Sequence, residues 1–199
     1  MSKLHYRLAE KDKANRERHL RDAAEVLRRW SIVDPRDAWH HNLRGYLLND
    51  LGDYEAAVEA YEEALKIEPD NVIFLTNAGG AYLNAGHDAD ARRVLESVVK
   101  HGQAVMREQM APYSHNLDDD VRIATGEAYQ LLGAASLRLY QSQERAEGVT
   151  PDRTLLDEAE AAYKAALNYN PDDVYSHFNL GNVYYLTNRR AAAARMYTR

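Results

Sequence analysis

The feature that most constrains this sequence is a period. In HHNLRGYLLNDLGDYEAAVEAYEEALKIEPDN and LTNAGGAYLNAGHDADARRVLESVVKHG, Gly45 aligns with Gly79, Gly52 with Gly86 and Ala57 with Ala91, each pair 34 residues apart. HFNLGNVYYLTNRRAAAARMY repeats the pattern around Gly181, Asn188, Ala193 and Tyr197. LDEAEAAYKAALNYNPDD places Ala159, Tyr163, Ala166 and Pro171 at the internal spacing of Ala57, Tyr61, Ala64 and Pro69. A sequence repeating at this length folds as stacked copies of one small unit. Where two helices cross closely, glycine and alanine fit at the contact and an aromatic fills the space they leave. Gly52 and Gly86 come where a left-handed residue ends the first helix, and Asn188 takes that place in the last copy. Asp70 and Asp172 follow the prolines and are expected to help start the next helix.

These positions resemble the tetratricopeptide repeat family, whose pattern is aromatic, Leu-Gly and Tyr on a first helix and Ala, aromatic, Ala and Pro on a second. The resemblance covers about three-quarters of the chain. It implies an all-α fold: a right-handed superhelical solenoid of antiparallel helix pairs, about four repeats, with an N-terminal capping helix. Residues 1–36 read as a basic helical arm or cap, and 37–199 as the array. Repeats are expected at about 38–71, 72–103, 126–173 and 174–199. His41 and Arg44 depart from the first repeat's aromatic and leucine places, and the second repeat lacks its terminal proline. The third repeat, with Tyr129, Leu132 and Gly133, carries an insertion, and 104–125 form a further insert. The inserted lengths add up to one repeat, yet a degenerate extra hairpin is disfavoured because Pro151 would break its first helix. In the arm, Ala23, Leu27, Trp30 and Pro35 match a second helix, Leu20, Leu27 and Trp30 form an apolar stripe, and 10–19 should be solvated. The last repeat stops at Tyr197-Thr198-Arg199 before its expected proline, so a piece of a longer chain is the expected reading, with a natural terminus as the alternative.

Composition narrows the chemistry. With no cysteine, disulfides, thiolate metal sites and thiol catalysis are excluded. The net charge of −6 divides into about +4 over residues 1–36 and about −10 beyond them. An acidic total disfavours nucleic acid as the main ligand, and a nucleic-acid arm at 1–36 is the lesser reading. No apolar run suits a signal peptide or a membrane span, so a cytoplasmic protein is expected. Gly79-Gly80 lies on a helix and not after a strand, so it is no phosphate loop. His40 and His41 are adjacent and point about 100° apart on a helix, a poor metal pair. His87 and His101 fall near helix ends and His115 in a loop. Asp118, Asp119 and Asp120 are expected to start a long helix over 119–145, opposing its positive end. No catalytic residue, cofactor, metal or small-molecule substrate is expected.

The resemblance places the functional surface on the first helices, which line a concave groove. Asn77 and Asn179 lie two residues before their glycines, where an asparagine in such arrays grips the backbone of an extended peptide. Its amide both donates and accepts. Trp39, Asn42, Tyr46 and Asn49 would line the first repeat's groove, and Thr76, Asn77, Leu83 and Asn84 the second's. Tyr175, Phe178, Asn179, Asn182 and Tyr185 would line the fourth's. Tyr54, Tyr61, Tyr82, Tyr163 and Tyr184 are read as packing residues. The two-carboxylate clamp for chaperone tails needs Lys or Arg where Asn42, Tyr46, Glu127 and Leu131 stand, so that ligand is rejected. A non-catalytic scaffold for a protein or peptide partner is the expected function, and self-association is left open. The alternative is the recognition arm of a larger enzyme, for example a glycosyltransferase, continuing beyond Arg199.

Overall fold

A computed structural model describes residues 13–109 and 119–198. The expectations for residues 1–12, for the insert around 110–118 with His115 and Asp118, and for Arg199 lie outside the described residues. Among the described residues there are nine helices and no strand: α1 (Lys13–Val33), α2 (Ala38–Leu51), α3 (Tyr54–Ile67), α4 (Val72–Ala85), α5 (Asp88–Gln109), α6 (Asp119–Arg145), α7 (Thr154–Tyr169), α8 (Val174–Leu186) and α9 (Arg190–Tyr197). They fall into two compact units, one up to Ala85 and one from Gly86 on.

In the first unit, Asp37 starts α2 by accepting from the amides of Trp39 (2.9 Å) and His40 (3.2 Å). Gly52, at φ 81°, ends it. The Gly52 amide donates to the Asn49 carbonyl and the Asp53 amide to the Leu48 carbonyl, which satisfies two carbonyls the helix leaves unpaired. The chain then reverses into α3, whose Ala57, Ala60, Tyr61 and Ala64 are buried. At the crossing, a Cβ added to Gly45 would stand 2.8 Å from the Tyr61 ring, so only glycine lets the helices approach this closely. Burial of the Tyr61 hydroxyl pushes its pKa up. Asn71 caps α4, accepting from the amides of Ile73 (3.1 Å) and Phe74 (3.2 Å). The cap is therefore Asn71 and not Asp70: the turn after Pro69 takes one residue more than the spacing suggested.

Helix α1 packs against α2. Ala24, and not Ala23, is the buried small residue, while Trp30 stays exposed and stacks over His40 with centroids 6.1 Å apart. Of the 10–19 stretch, Asn15, Glu17, Arg18 and His19 are exposed as expected, and Arg16 Nη2 donates to both carboxylate oxygens of Asp50 at the surface, at 2.7 and 2.5 Å. Tyr54 is also corrected: it is 38% exposed and not a core residue.

The second unit repeats the same crossing twice. Gly133 lies under Tyr163, where an added Cβ would stand 2.8 Å from the ring, and Gly181 lies under Tyr197. Leu137, Tyr140, Leu155, Leu156, Ala159, Leu180 and Val183 close the core around Tyr163. The extra length of the third repeat goes into longer helices. Gly126, one further heptad along α6, lets that helix cross the Cβ of Tyr169 on α7. Asp88 pairs with Arg138 (3.4 Å) and Arg92 with Glu158 (3.1 Å), tying α5 to α6 and α7. Asp173, and not Asp172, caps α8 by accepting from the Ser176 amide at 2.9 Å. Asn188, at φ 60°, ends α8 with the bonds seen at Gly52: its amide donates to the Tyr185 carbonyl and that of Arg189 to the Tyr184 carbonyl. Arg189 binds the Glu160 carboxylate, holding it below the usual carboxylate range, and lies 4.5 Å over the Tyr184 ring.

Candidate functional site

In the first unit, the first helices α2 and α4 pack side by side. Their facing side chains pair with a shift of 35 residues. Trp39 meets Phe74 edge to face with centroids 4.9 Å apart. Asn77 Nδ2 donates to Asn42 Oδ1 at 3.0 Å, and Asn84 Nδ2 donates to Asn49 Oδ1 at 2.9 Å. Two carboxamide rungs thus run across the helix pair, seven residues apart on each helix. The 42–77 rung is sunk, with Asn42 only 7% exposed, whereas Asn84 is exposed. Each rung consumes one N–H and one acceptor and leaves further donor and acceptor capacity on both amides.

The exposed aromatic residues expected along the first helices are at the surface. Trp39 is 52%, Tyr46 56%, Tyr175 70%, Phe178 56% and Tyr185 63% exposed. Besides Asn42, two further expected lining residues are not. Thr76 is buried and its hydroxyl donates to the Val72 carbonyl at 2.7 Å, and Leu83 is buried as well. They lie seven residues apart on α4, as Asn77 and Asn84 do, but one residue behind, which turns them about 100° away into the packed side.

In the second unit the same places carry other groups. Six residues before its motif glycine, α6 has Glu127 where α2 has Trp39, and three before it Gln130 where α2 has Asn42. Among the described residues, Asn179 on α8 accepts from Asn182 within its own helix (3.5 Å), and Asn182 Oδ1 accepts from the Tyr197 hydroxyl at 2.8 Å. A cleft of about 480 Å³ opens here between α6, the end of α7 and the start of α8, with Glu127, Tyr169, Asp173 and Tyr175 on its walls. Partial burial, helped by the negative charge of Asp173, raises the Glu127 carboxyl pKa. Arg122, also on the wall, is engaged by Asp119 (3.4 Å) and by the Tyr169 carbonyl (3.5 Å). From spacing alone Glu127 has no role beyond displacing a clamp residue. The signal that could have found the cleft is Gly126, one heptad before Gly133, which opens the second close crossing.

Among the described residues, no three His, Asp or Glu side chains are placed to hold a metal ion. Among the same residues, no helix is long and apolar enough to cross a membrane.

A family model for the TPR repeat matches residues 45–86 and 156–188, the two stretches that contain the Gly45 and Tyr163 crossings. The chain is 24% identical over 159 residues to protein O-mannosyl-transferase Tmtc3 of Drosophila melanogaster, a match that covers 80% of this chain but spans only 15% of that protein's length. Among solved structures, MamA from Desulfovibrio magneticus aligns with 98% of this chain and 90% of its own, at 21% identity and a TM-score of 0.61. The structure of pilF from Pseudomonas aeruginosa aligns with 90% of this chain and 67% of its own, at 17% identity and a TM-score of 0.65. At these identities the structural likenesses speak for the fold. The repeat match, the recurring glycine–tyrosine crossings and the all-helical architecture agree: the chain carries tetratricopeptide repeats in an all-α fold.

Proposed function

We propose that the chain is a non-catalytic adaptor that holds an extended peptide segment of a partner along the first helices of its hairpins. The observation that carries this reading is the pair of carboxamide rungs, Asn42–Asn77 and Asn49–Asn84. Cross-bonding fixes each amide plane before a ligand arrives, so the entropy of ordering it is already spent. The remaining N–H and C=O groups match a peptide backbone, which presents alternating acceptors and donors. One such bond contributes about 1 kcal/mol net, so the exposed rings of Trp39 and Tyr46 supply apolar anchoring beside them. On α8 of the second unit, Tyr175, Phe178 and Asn179 would offer a surface of similar chemistry. No catalytic residue or cofactor enters this reading.

The test is selection from a random displayed peptide library on the intact chain, followed by NMR of the selected peptides. Binding is expected to move the side-chain amide signals of Asn77 and Asn84. Peptides that bind tightly while leaving those signals in place would contradict the reading.

The match to protein O-mannosyl-transferase Tmtc3 supports a second reading, in which this chain is the recognition portion of a larger enzyme. Following the native reading frame through codon 199 into a catalytic domain, or to a stop codon, separates the two.

A further inference from the structure

We propose that the cleft of the second unit seats an arginine side chain of a partner. This deepens the adaptor reading and rests on it, but the residues involved are not those of the asparagine rungs. The cleft has room for such a side chain, at about 480 Å³. Its walls carry two carboxylates, Glu127 and Asp173, and its one cation, Arg122, is already engaged by Asp119 and the Tyr169 carbonyl. An incoming guanidinium would meet uncompensated negative charge. Asp173 spends one oxygen, Oδ2, on the Ser176 amide. Oδ1 remains for a second donor.

The aromatic walls favour arginine over a compact ammonium. The Tyr169 ring is paired with that of Tyr129, at a centroid separation of 5.8 Å, and Tyr175 is 70% exposed at the mouth. A flat guanidinium stacks on such rings while its edge donates to a carboxylate. The opening depends on Gly126, because any side chain there would push α6 away from Tyr169. The body beyond residue 36, at a net charge of about −10, would also draw a basic segment toward it.

The experiment titrates the full chain with two blocked tripeptides, acetyl-Gly-Arg-Gly-amide and its citrulline counterpart, which keeps the shape and loses the charge. Backbone amide signals report the site. The arginine peptide is expected to move Gly126, Glu127 and Asp173. It should bind about fivefold more tightly than the citrulline peptide, the scale of a partly exposed charge pair. Glu127→Gln should erase that preference, and added salt should reduce it. Equal binding of the two peptides, a preference that survives Glu127→Gln, or no shift at these amides would overturn the proposal. An Asn49→Ala/Asn84→Ala chain should keep the full arginine preference, so failure of the rungs and failure of the cleft are read separately.

Discussion

The two units close their hairpins in the same way and line their first helices differently. Gly45 under Tyr61 and Gly133 under Tyr163 are the same crossing, with an added Cβ 2.8 Å from the ring in both. One heptad earlier the pair changes in a compensating manner: Ala38 clusters near Ile67 in the first unit, whereas Gly126 faces the larger Tyr169 in the second. Between neighbouring first helices the residues at matching places differ. Trp39 and Phe74 give way to Glu127 and Ser176, Asn42 and Asn77 to Gln130 and Asn179, and Asn49 and Asn84 to Leu137 and Leu186. An amide-and-aromatic surface in one unit becomes an acidic cleft in the other. The residues that touch across a hairpin keep the same crossing in both units, whereas those that face the neighbouring first helix differ.

The strongest way to break this comparison is at the crossings. Gly45→Ala and Gly133→Ala should each destabilise by about 1–3 kcal/mol, as overpacked sites do, and by similar amounts, since the geometry is the same. Chemical denaturation measures both, and a tolerated alanine at either site would mean that the two locks differ. Shortening the ring should relieve the strain, so Gly133→Ala with Tyr163→Leu should lose less than the two single changes summed.

The rungs come next. Asn77→Ala leaves the buried Asn42 oxygen without its donor and should cost about 1–2 kcal/mol. Asn84→Ala, on the exposed rung, should cost less than about 0.5 kcal/mol. Equal losses would show that the sunk rung is no more structural than the open one. The helix ends give a third contrast. Gly52→Ala forces a Cβ into φ 81° and should destabilise by about 1 kcal/mol, whereas Asn188→Gly, at φ 60°, should be neutral or slightly stabilising.

The smallest effect is electrostatic. The folded pKa of Glu127 is raised, so the native state holds its proton more tightly than the unfolded chain does. Its contribution to stability is then most favourable at acid pH and falls as pH rises through the carboxylate range. Glu127→Gln should stabilise the chain slightly at pH 7 and lose that advantage at acid pH, as read from thermal unfolding across the range.

Much of the scaffold is legible from spacing alone, because the residues that lock a hairpin lie at fixed separations along one chain segment. Gly45 to Tyr61 and Gly181 to Tyr197 span the same 16 residues, and Asn188 could be named as a left-handed stop before any coordinates. The boundaries of α6 and α7 follow from the acidic start at Asp119 and from Pro151. Elsewhere the pattern fails where a single residue decides. Asn71 and Asp173 cap their helices although Asp70 and Asp172 are equally suitable by type. Thr76 and Leu83 share the heptad spacing of Asn77 and Asn84 but sit one residue behind them and face inward. The rungs themselves are hidden, because they join residues 35 apart in a sequence whose period is 34, an offset set by how α4 slides along α2. The cleft lies in the lengthened third repeat, where the period no longer applies.

The most direct test of the account is the affinity of one library-selected peptide for the wild-type chain and for Asn49→Ala/Asn84→Ala, measured by calorimetry beside thermal unfolding. The exposed rung can be removed with little structural cost, so binding and folding separate. An affinity loss of about tenfold is expected, the scale of one or two backbone hydrogen bonds, with the unfolding temperature nearly unchanged. Unchanged affinity at an unchanged unfolding temperature would contradict it.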